Sequence, residues 1–184
     1  MSFGGTHMKT VYSLSGISLL AFALFGNPAS AQAVDDPLLN HLAGQWVLSG
    51  KIAHHEVVHD VTAQWVLGHQ YVQIHETSRA KAHDGKPEYE AIVYVGWNPM
   101  LNQYTCLWLD STGGNGLVTE GLGHAQKDPE TLLFKWNDEH GSPSLQNAFS
   151  YDATHDTWRW QIDNIDKGKA KQFADVSLAR RSGK

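Results

Sequence analysis

From Glu88 to Gly123 the chain reads EYEAIVYVGWNPMLNQYTCLWLDSTGGNGLVTEGLG, three runs rich in aromatic and β-branched residues separated by turn formers. Asn98-Pro99 joins the first two runs, and Gly113-Gly114-Asn115-Gly116 leads into the third. Such side chains suit a pleated, half-buried surface, while Asn, Pro and Gly supply the backbone conformations of tight turns. The stretch therefore predicts consecutive antiparallel strands in a meander. It builds a sheet and carries no catalytic signature.

The same rhythm runs in both directions. Upstream, Asp36 to Gly44 reads as a short helix, with Asp36 as N-cap, Pro37 at the first helical position and Gly44 as the stop. Trp46, Leu48, Gly50 and Ile52 then share one parity, and Val61, Ala63, Trp65 and Leu67 share one face of the next run. Tyr71 to Thr77 alternates less cleanly, and which of its faces points inward stays open at this level. Downstream, Leu132, Phe134 and Trp136 alternate with polar or lesser positions, as do Phe149 and Tyr151, then Trp158, Trp160 and Ile162, then Ala174, Val176, Leu178 and Arg180. The pattern predicts an all-β fold, an up-and-down antiparallel barrel of about 8–10 strands preceded by a short helix. A length of 184 residues suits one domain. With Cys106 the only cysteine, no disulfide within the chain can hold the fold, and Cys106 is expected as a small buried hydrophobe.

The N-terminus reads as an export leader over residues 1–31. Lys9 supplies the positive start, Ile17 to Phe25 a short apolar core, and Ala29-Ser30-Ala31 a cleavage site, with Ala31-Gln32-Ala33 as a second. Residues 1–7 precede a better start at Met8 and read as an upstream extension. The apolar run is too short to span a bilayer, and residues 32–184 are expected to form a single barrel domain, soluble and periplasmic or secreted. A net charge of -5 gives neither nucleic acid nor an anionic membrane surface an electrostatic reason to bind, so a small molecule or a protein is the expected partner, without membrane insertion. No feature sets an oligomeric state.

Seven Trp, six Tyr and six Phe are a heavy aromatic load for this length. A barrel of this size is either just filled by side chains or encloses one small ligand. If it encloses one, Trp65, Trp97, Tyr104, Trp108, Trp136 and Trp158 are the expected wall, with Asp110 at the rim. Asp110, just before the glycine-rich turn, either caps that turn or orients the ligand. A filled barrel would instead act as an interaction module, with a small cavity and an exposed apolar patch.

One stretch looks more catalytic. His55-Glu56-Val57-Val58-His59 is a literal H-E-x-x-H, which on a helix places two imidazoles on one zinc and a carboxylate beside its water. Its flanks are β-branched, and four residues along a strand span about 13 Å, too far for one ion unless the strand bends. A zinc-dependent hydrolase through His55, Glu56 and His59 therefore stands as the alternative function. A milder version is a metal site of His54, His55 and His59 at the barrel mouth. No G-x-S-x-G is present. The expectation is a binding protein with no catalytic residues and no cofactor.

Gly44-Gln45-Trp46, opening the first strand after a short helix, resembles the G-x-W signature of lipocalins and the wider calycin superfamily. That resemblance implies that Trp46 packs at a closed barrel end against an Arg from a late strand, here Arg180. A longer match runs from about Leu42 to Arg181. It comprises Leu42-x-Gly44-x-Trp46, Val66-Leu67-Gly68-His69-Gln70-Tyr71, Gly96-Trp97-Asn98 and Tyr104 to Ser111 followed by Gly113-Gly114. It is similar to an uncharacterised family of lipocalin-like secreted bacterial proteins. The resemblance implies a calycin-like barrel and small-ligand binding, and no activity. Because some calycin-like barrels hold haem through one axial His, it also makes His54 and His75 haem-ligand candidates.

Overall fold

Asp36 begins the ordered architecture. Its Oδ1 accepts a hydrogen bond from the Leu39 amide at 3.0 Å, capping helix α1 (Pro37–Leu42), and the proline occupies a position whose missing N–H costs nothing. In the computed structural model the described residues are 34–113 and 121–182. The leader, both of its cleavage sites and the Gly114-Asn115-Gly116 part of the glycine turn lie outside them.

After α1 come β1 (Gly44–Ile52), β2 (His55–Val66), β3 (Tyr71–Ser78), β4 (Glu90–Asn98) and β5 (Gln103–Asp110). They are followed by β6 (Leu122–Ala125), β7 (Thr131–Asn137), β8 (Pro143–Asp152), β9 (Thr157–Asp166) and β10 (Lys169–Arg180). Each strand pairs antiparallel with its sequence neighbour, and β1 pairs with β10 from Trp46↔Arg180 to Ile52↔Ala174, closing the barrel. Closure removes the exposed strand edges that an open sheet would have to protect.

Antiparallel connectivity sorts the turns between two ends. The helix end carries α1 and the β2–β3, β4–β5 and β8–β9 turns; the far end carries the β1–β2, β7–β8 and β9–β10 turns and the loop between β3 and β4. Two far-end turns are two residues long, Ala53-His54 and Lys167-Gly168, and in each both residues have positive φ, the twist that suits a tight hairpin.

Period-two burial follows the expected parities on β1, β7, β9 and β10. On β3 the structure decides the open question: Val72, Ile74, Glu76 and Ser78 face inward, and His75 faces out. Two boundary readings change. Gly44 does not stop the helix, which ends at the Ala43 cap; it opens β1 at φ 143° under the Arg180 guanidinium. Leu67, placed with the inward face of β2, sits instead in the β2–β3 turn at φ 51° and is 74% exposed. The strand has already ended there, so its alternation no longer applies. Cys106 is fully buried, and burial pushes its thiol above the ordinary range.

Aromatic rings fill much of the interior. Phe149 packs on Trp160 with ring centroids 4.6 Å apart, and Phe134 meets Phe149 edge-to-face at 5.8 Å. Among the described residues, no helix is long and apolar enough to cross a membrane.

Candidate functional site

The helix end is plugged. Trp46 is buried under α1, donates from Nε1 to the Leu42 carbonyl at 2.8 Å, and carries the Arg180 guanidinium over its ring at 3.8 Å. Arg180 also donates to the carbonyls of Ala43 at 2.8 Å and His41 at 3.0 Å, and from Nε to Asp156 at 2.8 Å. Guanidinium on indole is a cation–π contact, and the same fork closes the last carbonyls of the helix. Asp36, already the N-cap, accepts a second hydrogen bond from the Tyr104 hydroxyl. Burial and that carboxylate hold the Tyr104 phenol above its ordinary pKa.

Of the seven residues expected to line one pocket, four belong to this end. Trp65 donates to Asn40 Oδ1 at 2.9 Å and stacks on His69. Trp97 meets Tyr104 edge-on at 5.0 Å, and Trp158 packs on Tyr151. The other three, Trp108, Asp110 and Trp136, stand in the far half. Trp136 lies over Gly123, where an added Cβ would come within 2.5 Å of the ring, and its Nε1 donates to the Gly121 carbonyl at 3.2 Å. The set therefore divides between two ends of the barrel.

The far half holds polar groups that the sequence pattern does not bring together. His59 (4% exposed) and Glu76 (2% exposed) face inward from β2 and β3, with Nδ1 and Oε1 2.5 Å apart. The ladder explains the meeting: His59 pairs with Ser78 and Glu76 with Val61, so the two side chains are diagonal neighbours on one face. Tyr89, just before β4, stacks over the His59 ring at 5.7 Å and accepts a hydrogen bond from Trp108 Nε1 at 3.2 Å. Burial first, and then the Glu76 charge, push the Tyr89 phenol above its ordinary pKa, so it stays protonated and able to donate. Asp110 closes the group. Its Oδ1 accepts from Thr112 N and Oγ1, each at 2.7 Å, and from Gly113 N at 2.9 Å, the turn-capping role.

This geometry changes the metal readings. Strand β2 keeps His55 and His59 apart: His55 is exposed at the hairpin, Glu56 faces outward against Lys51 at 3.5 Å, and His59 is sealed inside against a different carboxylate. His54 occupies the β1–β2 turn, and His75 bonds Glu90 outside the wall at 2.7 Å, so neither haem-ligand candidate faces the interior. Among the described residues, no group of three or more His, Cys, Asp or Glu is placed to hold a metal ion.

On the opposite wall, Asn147 Oδ1, Trp158 Nε1 and Trp160 Nε1 are buried and make no hydrogen bond with the protein. Asn147 pairs with Ile162 and Trp160 with Phe149, which makes Asn147 and Trp160 diagonal neighbours on the inner face. Two clefts lie elsewhere: about 480 Å³ beside Asp36, Trp97, Pro99 and Lys127, and about 370 Å³ between the β1–β2 hairpin and Phe173. Neither is lined by His59, Glu76 or Tyr89.

The signal for His59 was present as its parity with Val61 and Ala63, and that for Glu76 as its parity with Val72 and Ile74. Their pairing across 17 residues needs the β2–β3 register. No protein-family model matches the chain, and no curated protein matches it. Among solved structures, a redesigned beta barrel is similar at a TM-score of 0.39 and 11% identity, over 79% of this chain and 96% of that one.

Proposed function

We propose that the chain is an exported, calycin-like barrel that binds one small, largely apolar or aromatic molecule in its far half, without chemistry of its own. The observation that carries this reading is the His59–Glu76–Tyr89 group inside an otherwise largely apolar barrel. Burying an ionisable pair is costly, and replacing one with well-packed hydrophobic residues is often neutral or stabilising. A core built only to be solid has no use for it. A binding site does, because a few fixed polar groups in an apolar wall orient a ligand. Glu76 holds the imidazole in one orientation, and Tyr89 and Trp108 supply a flat face. The unpartnered Asn147 and Trp160 atoms on the opposite wall add an acceptor and a donor that a ligand could satisfy.

The test is a Trp fluorescence titration with aromatic acids, fatty acids and tetrapyrroles, run on the unaltered chain and on His59→Leu/Glu76→Leu. At least one ligand class should quench the unaltered chain, with affinity at least tenfold weaker in the double variant at an unchanged melting temperature. No quenching by any class, or equal affinity in both proteins, ends the proposal.

A further inference from the structure

Two carboxylates share one inner wall of the far half. On the β3–β4–β5 ladder Ala91 pairs with Glu76 on one side and with Asp110 on the other, so the three residues form one row of inward parity. The two acidic residues thus stand about 10 Å apart at the backbone, with only a methyl group between them. Tyr89, whose carbonyl accepts from the Ser78 amide at 2.9 Å, lies just beyond this row toward the far-end rim. Its phenol feels both carboxylates. Burial first, then the Glu76 charge, push it above its ordinary pKa, and the Asp110 charge adds to them.

The charges on this wall do not balance. Glu76 has an ion-pair partner only in His59, and among the described residues no Lys or Arg is buried or lies within ion-pair distance of Glu76 or Asp110. With the imidazole neutral the patch holds two negative charges; with it protonated, one remains. Either way it lacks positive charge, and a carboxylate in a largely apolar interior is costly until something neutralises it. A metal ion does not fit, because no group of three or more His, Cys, Asp or Glu among the described residues is placed to hold one. An organic ammonium does. It donates to carboxylates and lies favourably over aromatic faces such as those of Tyr89 and Trp108. On the opposite wall Asn147, 2% exposed and of inward parity, leaves its Oδ1 without a partner, an acceptor for a further N–H. Ile52, Val57 and Leu145 share the inward parities near the same end and are only half-buried, which offers an apolar body a surface.

We propose, resting on the far-half site described above, that the molecule bound there is an organic cation: a protonated primary amine on an apolar or aromatic body, its ammonium beside Glu76 and Asp110. An acid of the same size brings a like charge to the same wall and is held by its body alone, so the site discriminates by repulsion as well as attraction.

The test is isothermal titration calorimetry at neutral pH with three probes that share one aromatic body: naphthylmethylamine, naphthylmethanol and naphthoate. The amine should bind the unaltered chain at least tenfold more tightly than the alcohol, with the acid weakest and measurable only at higher concentration. In Glu76→Gln/Asp110→Asn the ratio of amine to alcohol affinity should fall to near parity. Asp110→Asn alone, which keeps an oxygen to cap the Thr112 and Gly113 amides, should lower that ratio at least threefold even if the double variant fails to fold. An alcohol or acid that binds as tightly as the amine overturns the proposal and leaves the far-half site standing. A ratio unchanged in the variants also overturns it, because the amine then binds away from these carboxylates. Binding by none of the three probes removes the proposal together with the site on which it rests.

Discussion

The two ends of the barrel bury polar groups in opposite ways. At the helix end the charged groups have structural partners: Arg180 joins Trp46, two helix carbonyls and Asp156, while Asp36 serves both the helix and Tyr104. In the far half, His59 and Glu76 satisfy one another while Tyr89 stacks on the imidazole and accepts from Trp108, and these side chains close no helix end. The difference teaches where to look for function. Polar groups that close a fold are explained by the fold, and those that close nothing call for another reason.

Substitutions can break this contrast. The largest effect is expected for Trp46→Ala, which removes a buried indole, its hydrogen bond to Leu42 and the seat of Arg180; chemical denaturation should show a loss of about 3–5 kcal/mol. Glu76→Leu alone, by leaving His59 buried without its partner, should cost about 3 kcal/mol, while His59→Leu/Glu76→Leu together should cost close to nothing. A double variant as unstable as the single one would make the pair structural and erase the distinction between the ends. Arg180→Ala should cost about 2 kcal/mol through the lost stacking and carbonyl contacts, and a Lys there should recover little because it cannot fork.

Smaller effects come from pH. Tyr89 and Tyr104 are both held above the ordinary phenol value of 10.0, so their contribution to stability is complete below pH 10 and fades as pH rises toward their folded values. Absorbance at 295 nm should show an ionisation phase limited by unfolding, absent from Tyr89→Phe/Tyr104→Phe. At the acid end, the hydrogen bond from Arg180 holds Asp156 below its ordinary 3.8, so that contact stabilises the fold above about pH 4 and is lost as pH falls through the lowered value. Asp156→Ala should accordingly cost about 0.5 kcal/mol at neutral pH, and the difference from the unaltered chain should vanish in acid.

Much of the fold was legible before any coordinates. Alternation at Trp46 to Ile52, Leu132 to Trp136 and Ala174 to Leu178 marks inward faces because a pleated strand turns successive side chains to opposite sides. Asp36 and Pro37 mark the helix start because capping is local chemistry. The site was legible only in fragments. Tyr71 to Thr77 hid its inward face, because Glu76 falls where an apolar residue is expected. H-E-x-x-H drew attention to Glu56, a residue that strand geometry turns away from both histidines.

What the sequence determined by itself is therefore the all-β barrel, its strand rhythm and its short capped helix, each written in spacings of a few residues. Tertiary structure alone decided that His59 meets Glu76 across the β2–β3 ladder and that Arg180 from the last strand covers Trp46 in the first. The physical reason is range. Periodicity and capping act between near neighbours, whereas register and closure join residues far apart in the chain, and the contacts that distinguish the two ends are of the second kind.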